Sequence, residues 1–284
     1  MYGKAKELHD SKPPTSLPIK WVGIEKLEFV GQLRSSFKEE PSSVFMPCRV
    51  NLYSSLNKNH RAVHISRFLE KLIKEINSQP KSIPQFCKDV AQNIRIAQKQ
   101  NHGRATLICK HTLQRESPVT HKPTMIPLIL GVDVIVTPEE IRYKTFLEYD
   151  IMITCPCCLE TSRSLGKEAI THSQRGRMKL SVTSIGETNH SILLEVAESV
   201  CRPLSTTLKR LDEFHIVQES FKNPLFCEDL ARNALGSLVR RFADLDPKVR
   251  VLKFAVSVKS DESIHPFSIV AYAEEIPHER LSEK

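Results

Sequence analysis

The sequence lacks a long apolar segment, and this absence argues against a membrane-spanning protein. Its longest apolar run, Met125 to Val136, is interrupted by Pro127 and Asp133 and falls well short of the roughly 20 residues that cross a bilayer. The first residues also lack the apolar core of a secretory signal. We therefore expect a cytoplasmic protein with no membrane partner.

Aromatic residues and basic runs are scarce as well. Only 6% of the residues are aromatic and no long block of consecutive basic residues occurs, so the basic and aromatic surface that is typical of nucleic-acid binding is missing. The formal net charge of +8 nevertheless favours an anionic partner. Charge alone does not distinguish nucleic acid from a small phosphorylated ligand. The missing surface pattern leads us to expect no nucleic-acid partner.

The eight cysteines do not follow the pattern of a disulfide-stabilised secreted domain, because they are scattered through a long chain. Three of them are crowded into Cys155-Pro156-Cys157-Cys158. Such crowding is typical of a metal site or a reactive thiol in a reducing compartment. No second close cysteine pair follows at zinc-ribbon spacing, which disfavours a closed structural zinc site.

Hydrophobic periodicity indicates an α+β protein with two similar halves. Residues 64–76 carry one apolar stripe and predict an amphipathic helix, which contains Ile65, Phe68, Leu69, Leu72, Ile73 and Ile76. Asn223-Pro224 resembles an N-cap followed by the first helical residue and predicts a helix start. Further helices are expected at 84–100, 191–209 and 223–242, and strands within 22–50 and at 104–109, 126–136, 145–154, 177–182, 249–258 and 268–274.

This order of elements suggests a division into modules. Residues 1–18 contain Lys12-Pro13-Pro14 and little periodicity, so we expect an N-terminal tail. The first module is expected at 19–145. The second is expected at 146–284 and carries most of the candidate site residues. No internal sequence repeat supports the duplication, which depends on the order of elements alone.

Several short blocks concentrate groups that bind metals or transfer protons. They are Cys155-Pro156-Cys157, Thr171-His172-Ser173-Gln174-Arg175, Leu208-Lys209-Arg210-Leu211-Asp212-Glu213, Phe226-Cys227-Glu228-Asp229 and Glu262-Ser263-Ile264-His265. One thiolate, one imidazole and one carboxylate can hold a divalent metal with an open position, and this mixture suits zinc, iron(II) or manganese. Each block alone is also consistent with buried small residues or solvated surface charges.

Taken together and in this order, the blocks resemble the type IB GTP cyclohydrolases. His64-Ile65-Ser66-Arg67-Phe68 is also similar to that family's His-Met-Ser-Arg-Phe motif, so the resemblance extends over residues 20–275. The resemblance implies a tunnelling fold of two tandem modules, each an antiparallel sheet with helices on one face. It also implies a homotetramer with active sites at subunit interfaces, and GTP as the substrate. The expected reaction opens the imidazole ring, releases formate and yields 7,8-dihydroneopterin triphosphate for folate synthesis.

The resemblance also assigns roles to residues. It implies one divalent metal per site, held by Cys155, His172 and Glu213, with Cys155 therefore counted among the catalytic residues. Cys157 and His265 are expected to transfer protons. Glu228 is expected to anchor the guanine edge, because a carboxylate can accept two hydrogen bonds from adjacent N–H groups. The candidate cations for the triphosphate are Arg67, Arg175, Lys209 and Arg210.

Two departures from the family pattern and several alternatives remain open. The segment between Cys155 and His172 is longer than the family's compact loop, which suggests a longer hairpin, and Phe267 stands where the family usually has a second histidine. An archaeal branch of the family forms a cyclic phosphate. The nitrile reductase of queuosine synthesis is a related alternative, although the stretch 160–165 matches its motif poorly. A basic zinc-containing RNA-binding protein is an alternative from another class, and it predicts a closed four-ligand metal site.

Overall fold

The computed structural model describes residues 8–38, 40–243 and 249–277. These residues contain eight strands and six helices, which confirms the α+β class. In chain order the elements are β1 (Ile19–Arg34), β2 (Ser43–Leu56), α1 (Ile65–Ile76), α2 (Ile83–Gln98), β3 (Gly103–Glu116), β4 (Pro123–Val136), β5 (Ile141–Thr154), α3 (Pro156–Ser164), β6 (Ser173–Ile185), α4 (His190–Val200), α5 (Arg210–Lys222), α6 (Cys227–Ala243), β7 (Arg250–Asp261) and β8 (Ser268–Glu275).

The strands form one antiparallel sheet in which their order follows the chain, from β1 to β8. The β2–β3 and β7–β8 pairs keep a regular register, with Cys48 opposite Cys109 and Val256 opposite Ala273. The register of β1 on β2 shifts twice, between Ile19 and Val22 and between Ile24 and Leu27. Buried and more exposed residues alternate along most of β2. This period of two is the pattern of a strand with one face on a core.

The chain divides into two compact units. The first comprises Met1–Cys109, Gly131–Thr145 and Ile185–Thr188, and in it α1 packs on α2 while α2 packs on β2. Phe68 and Leu72 of α1 are fully buried, whereas Ile65 and Ile73 of the predicted stripe are exposed. The Ser82 side chain caps α2 by accepting a hydrogen bond from the Gln85 amide at 3.2 Å. This cap and the buried apolar stripe explain why the helix begins there.

The second unit comprises Lys110–Leu130, Phe146–Ser184 and Asn189–Lys284. Within it α6 packs against α4, β7 and β8. The two units interleave along the chain, and the expected modules 19–145 and 146–284 stay a prediction. Residues 1–7 of the expected tail lie outside the described residues.

Two sequence-based helix predictions in the second unit were wrong in their boundaries. The helix expected at 191–209 ends at Val200. The segment that follows donates backbone hydrogen bonds to two strands: the Leu204 amide to the Asp150 carbonyl of β5 at 2.9 Å, and the Thr206 amide to the Met125 carbonyl of β4 at 2.8 Å. The helix expected to start at Asn223-Pro224 starts at Cys227 instead.

Helices α5 and α3 were not anticipated from the sequence. Asn223 is the C-terminal cap of α5, so the Asn-Pro pair ends that helix instead of starting the next one. The start of α6 is stabilised by the Asp229 carboxylate, which accepts from the Phe226 amide at 3.2 Å. The long segment after Cys155 is not a plain hairpin, because it contains α3.

No helix in the described ranges is both long enough and apolar enough to span a bilayer.

Candidate active site

Cys155 and His172 lie opposite each other where β5 ends and β6 is about to begin. The Cys155 amide donates to the His172 carbonyl at 3.1 Å, and the Thr171 hydroxyl donates to the Cys155 carbonyl at 2.6 Å. Both Cys155 and His172 are half-buried. The structure therefore brings two of the three expected metal ligands together, although 17 positions separate them in sequence.

Cys155 is also the N-cap of α3. Its sulfur accepts a hydrogen bond from the Cys158 amide at 3.4 Å, and Pro156 occupies the first helical turn. A helix N-terminus favours negative charge, so this position suits a thiolate ligand. Cys157 follows in the first turn of α3 and is exposed, whereas Cys158 is half-buried and its thiol lies 3.6 Å from the Ile170 carbonyl.

The His172 ring is held by two side chains through Nδ1. Gln174 Oε1 lies 2.9 Å and Ser263 Oγ 3.0 Å from that nitrogen. Gln174 in turn donates from Nε2 to Glu262 Oε1 at 3.2 Å. The Thr-His-Ser-Gln-Arg and Glu-Ser-Ile-His blocks, which are far apart in sequence, thus meet around one imidazole.

His265 lies in the connection between β7 and β8 and is exposed. Its ring stacks on Phe267 with a centroid distance of 5.1 Å and an interplanar angle of 7°. Phe267, where the sequence resemblance led us to expect a second histidine, therefore packs on His265. It cannot carry a proton, but it restricts how the His265 ring can turn.

The N-terminus of α5 presents a buried carboxylate beside exposed charges. Asp212 is fully buried and accepts hydrogen bonds from the amides of Val119 and Thr120, both at 2.9 Å. Burial raises the pKa of the Asp212 carboxyl, but hydrogen bonds from the Thr120 hydroxyl and from backbone amides outweigh burial and hold this pKa well below its ordinary value. Next to it Glu213 is exposed and forms no ion pair with any described residue.

The other expected ligand-binding residues differ in their surroundings. Glu228 is exposed in the first turn of α6, and Arg175, Lys209 and Arg210 are exposed at the starts of β6 and α5. Arg67 belongs to the first unit, where its guanidinium donates to the Ala97 carbonyl near the end of α2 at 3.0 Å. Arg67 thus has a structural role, because it satisfies a helix C-terminal carbonyl.

Within residues 8–38, 40–243 and 249–277, no three His, Cys, Asp or Glu side chains form a group that could hold a metal. A backbone hydrogen bond joins Cys155 to His172, and Glu213 belongs to α5. The donor types suit a divalent metal, but the part of the chain that the structure describes does not bring the three expected ligands into one group. The ligand assignment therefore stays a prediction.

A cavity of about 310 Å³ lies beneath α5 in the second unit. Its wall includes Thr154, whose hydroxyl lies 2.5 Å from the Ser220 hydroxyl and 2.9 Å from the Ser173 hydroxyl. His215, Glu219 and Cys201 also line it, and burial raises the pKa of the Cys201 thiol to about 11. The cavity is adjacent to the candidate site through Thr154, which precedes Cys155.

Sequence reasoning missed Gln174, Glu262, Ser263 and Asp212 as individual contributors. Each lies inside a block that the sequence analysis had singled out for a neighbouring residue. The concentration of polar residues within each block indicated that these positions could contribute. The sequence did not indicate which residues they contact, because those contacts join segments that are distant in the chain.

The overall architecture is similar to that of urate-oxidising enzymes of known structure. A uricase from Arthrobacter globiformis matches with a TM-score of 0.57 over 91% of this chain and 93% of the uricase, at 7% sequence identity. A urate oxidase from Bacillus sp. TB-90 matches with a TM-score of 0.52 over 92% of this chain and 100% of that chain, at 10% identity. These likenesses define the class: the chain has the tunnelling fold, as expected from the sequence.

The family model of type I GTP cyclohydrolase FolE2 matches residues 6–271. The GTP cyclohydrolase FolE2 of Thermosipho melanesiensis is 29% identical over 262 residues, which cover 92% of this chain and 94% of that relative. That of Thermotoga maritima is 28% identical over 273 residues, which cover 95% and 96%. The chain therefore belongs to the type I GTP cyclohydrolase FolE2 family, which confirms the resemblance seen in the sequence motifs.

Proposed function

We propose that this chain is a metal-dependent GTP cyclohydrolase of the type IB class that forms 7,8-dihydroneopterin triphosphate. In this reaction water adds at C8 of guanine, the imidazole ring opens, and C8 leaves as formate. Membership of the GTP cyclohydrolase family supports the activity. The single observation that carries the proposal is the pairing of Cys155 with His172 across a backbone hydrogen bond of 3.1 Å. A cytoplasmic location stays a prediction from the sequence.

Cys155, His172 and Glu213 are the residues that would hold the metal. Cys155 and His172 suit this role because both are half-buried and a backbone hydrogen bond joins them directly. When bound, a zinc, iron(II) or manganese ion would supply Lewis acidity, which lowers the pKa of water and makes a nucleophile available at neutral pH. Cys157, exposed in the first turn of α3, and His265, exposed between β7 and β8, are the groups that would exchange protons with the substrate.

Substrate recognition is assigned to charged residues that remain exposed in the single chain. The Glu228 carboxylate can accept two hydrogen bonds from the guanine edge. Arg175, Lys209 and Arg210 provide positive charge for the triphosphate, and none of the three forms an ion pair with a described residue. Arg67 is the weakest of the proposed triphosphate ligands, because its guanidinium already binds the Ala97 carbonyl.

We further propose that the site is completed by assembly into a homotetramer. Helix α5, which carries Glu213, presents three large apolar side chains to solvent in the single chain: Leu211 is 62%, Phe214 63% and Val217 51% exposed. Exposed apolar residues on one short helix are typical of a surface that another chain covers. Covering α5 in this way would bring Glu213 into a subunit interface, where an active site is expected.

The test is to incubate metal-loaded protein with GTP and to measure formate together with the fluorescence of the oxidised pterin. We expect both products in equal amounts. Phosphate analysis of the pterin distinguishes a triphosphate from a cyclic phosphate. The variant Glu139→Gln is a suitable control, because Glu139 is an exposed carboxylate in the turn between β4 and β5. Absence of formate with a metal-loaded, folded protein would contradict the proposed activity.

A further inference from the structure

A chain of four polar side chains extends from the start of β6 to the end of β7. His172 Nδ1 lies 2.9 Å from Gln174 Oε1, Gln174 Nε2 donates to Glu262 Oε1 at 3.2 Å, and the Ser260 hydroxyl donates to the same oxygen at 2.7 Å. Ser260 is buried, with 1% of its surface exposed, so the far end of the chain is anchored inside the protein. Apart from His172, these residues had no assigned role.

The chemistry of the two ends determines the direction of every hydrogen bond between them. A carboxylate has no donor, so Gln174 must direct its NH₂ group at Glu262. Its carbonyl oxygen then faces His172, and because a carbonyl oxygen only accepts, His172 Nδ1 must be the donor. In a neutral imidazole with Nδ1 protonated, Nε2 carries the free lone pair. Glu262 therefore determines the His172 tautomer through Gln174.

Ser263 adds a second contact to the same ring nitrogen. Its hydroxyl oxygen lies 3.0 Å from His172 Nδ1, and a hydroxyl oxygen can accept from Nδ1 at the same time as Gln174 does. Two acceptors on one N–H restrict rotation of the ring about the bond to its Cβ. The ring is thereby fixed in orientation as well as in tautomer.

Close packing of the strands makes this arrangement possible. Gly176 lies two residues after Gln174, and a Cβ atom there would be only 2.9 Å from the Lys259 carbonyl of β7 and 2.4 Å from Ile153 Cδ1 of β5. Any larger residue would push β6 away from its neighbours. Glycine at 176 thus lets β6 approach β7 closely enough for Gln174 to reach Glu262.

We propose that Gln174 and Glu262 are positioning residues for His172, which hold its imidazole in the Nδ1–H tautomer so that Nε2 is presented to the metal. This inference rests on the proposed function for the identity of His172 as a ligand. Ligating histidines commonly donate their other ring N–H to an oxygen acceptor, and loss of such a partner typically lowers metal affinity by about 10- to 100-fold. Here the acceptor is an amide whose own orientation is determined by a carboxylate.

The first measurement is the tautomer of His172 in metal-free protein, from the ¹⁵N shifts of labelled histidine at about pH 8.5, where an ordinary imidazole is neutral. The signal is assigned by its loss in His172→Gln. We expect Nδ1–H in the wild type and a shift toward Nε2–H in Gln174→Met, which removes both hydrogen bonds at similar side-chain length. Glu262→Met removes the acceptor for Gln174 Nε2 and should lose part of the wild-type tautomer. Glu262→Gln should also lose part of it, because an amide at 262 can donate as well as accept and no longer determines the direction of Gln174.

The second measurement is metal affinity by competition with a chelator. Gln174→Met should bind metal about 10- to 100-fold more weakly, and the exposed control variant Glu139→Gln should stay close to the wild type. Unchanged circular dichroism and melting temperature show that the variants are folded. Nε2–H in the wild type, or unchanged affinity in a folded Gln174→Met variant, would overturn the inference.

The two proposals can fail separately. If His172→Gln retains its metal while the wild type shows the Nδ1–H tautomer and Gln174→Met loses it, the ligand assignment of the proposed function is wrong. In that case the hydrogen bonds from Glu262 to His172 still determine the tautomer, but they do not present Nε2 to a metal. The proposed positioning role toward the metal is then rejected together with the ligand assignment. If His172→Gln loses its metal and the wild type shows Nε2–H, only the positioning role is wrong.

Discussion

The Thr120 hydroxyl donates a hydrogen bond to Asp212 Oδ2 at 2.6 Å, although 92 residues separate the two in sequence. The amides of Val119 and Thr120 donate to the other carboxylate oxygen, and the Lys209 amide donates to Oδ2 at 3.0 Å. The loop between β3 and β4 is thereby fastened to the N-terminus of α5. Because Glu213 is the next residue, this buried carboxylate positions the part of α5 that carries the proposed third ligand.

Replacement of Asp212 should destabilise the protein and change its response to acid. Asp212→Asn cannot accept from all of these donors, and we expect a fall in melting temperature on the order of 5 °C. The folded pKa of Asp212 is depressed, so its contribution to stability is complete above the unfolded pKa of about 3.9 and is lost as the pH falls toward the folded pKa.

The measurement is thermal unfolding as a function of pH. The wild type should lose stability below about pH 4, and Asp212→Asn should lose less of it over the same window because the variant has no carboxyl to protonate. Glu139→Gln is the control, since its carboxylate is exposed. Parallel curves for the wild type and Asp212→Asn in this window would show that the Asp212 carboxylate does not stabilise the fold.

Removal of any proposed ligand should abolish tight metal binding. Cys155→Ala, His172→Ala and Glu213→Ala each leave two protein ligands, which we expect to lower metal content at least about tenfold after dialysis. Elemental analysis of the purified proteins measures the content, and Glu139→Ala provides the carboxylate control. Metal content near that of the wild type in all three ligand variants would show that these residues are not the metal ligands.

Substitution of Glu228 should separate substrate binding from metal binding. Glu228→Gln can present only one acceptor oxygen to the guanine edge and loses the negative charge, so we expect GTP to bind about 10- to 100-fold more weakly. Its metal content should not change. Titration with GTP by calorimetry tests this, and an unchanged affinity would remove Glu228 from the guanine site.

Thiol labelling should select Cys157 among the eight cysteines. Cys157 is exposed at the start of α3, whereas Cys48, Cys87, Cys109 and Cys227 are buried. Burial also raises the pKa of the Cys201 and Cys227 thiols to about 11, which keeps both protonated and slow to react. Mass-spectrometric mapping after brief alkylation should find Cys157 modified first.

Bound GTP should slow that modification if Cys157 faces the substrate. Cys157→Ser provides the control, because it should remove the fastest-reacting site and leave the remaining labelling unchanged. If the rate of Cys157 labelling is the same with and without GTP, His265 is the better candidate for proton transfer.

Local patterns in the sequence were sufficient where one face of an element is buried in its own unit. Helices α1 and α2 and the long strands were predictable because apolar residues recur at the helical or strand period. Helix α5 was missed because its apolar residues Leu211, Phe214 and Val217 are exposed and form no stripe against the core. Helix α3 was missed because it has nine residues and begins at a cysteine cap.

The sequence by itself determined which chemical groups are available and, through the order of its motifs, the family to which the chain belongs. Tertiary structure decided which of those groups meet. Gln174 and Glu262 are 88 residues apart and Thr120 and Asp212 are 92 apart, so no local periodicity connects them. A hydrogen bond depends on distance and on the direction from donor to acceptor, and only the folded backbone determines these for residues on different strands and helices.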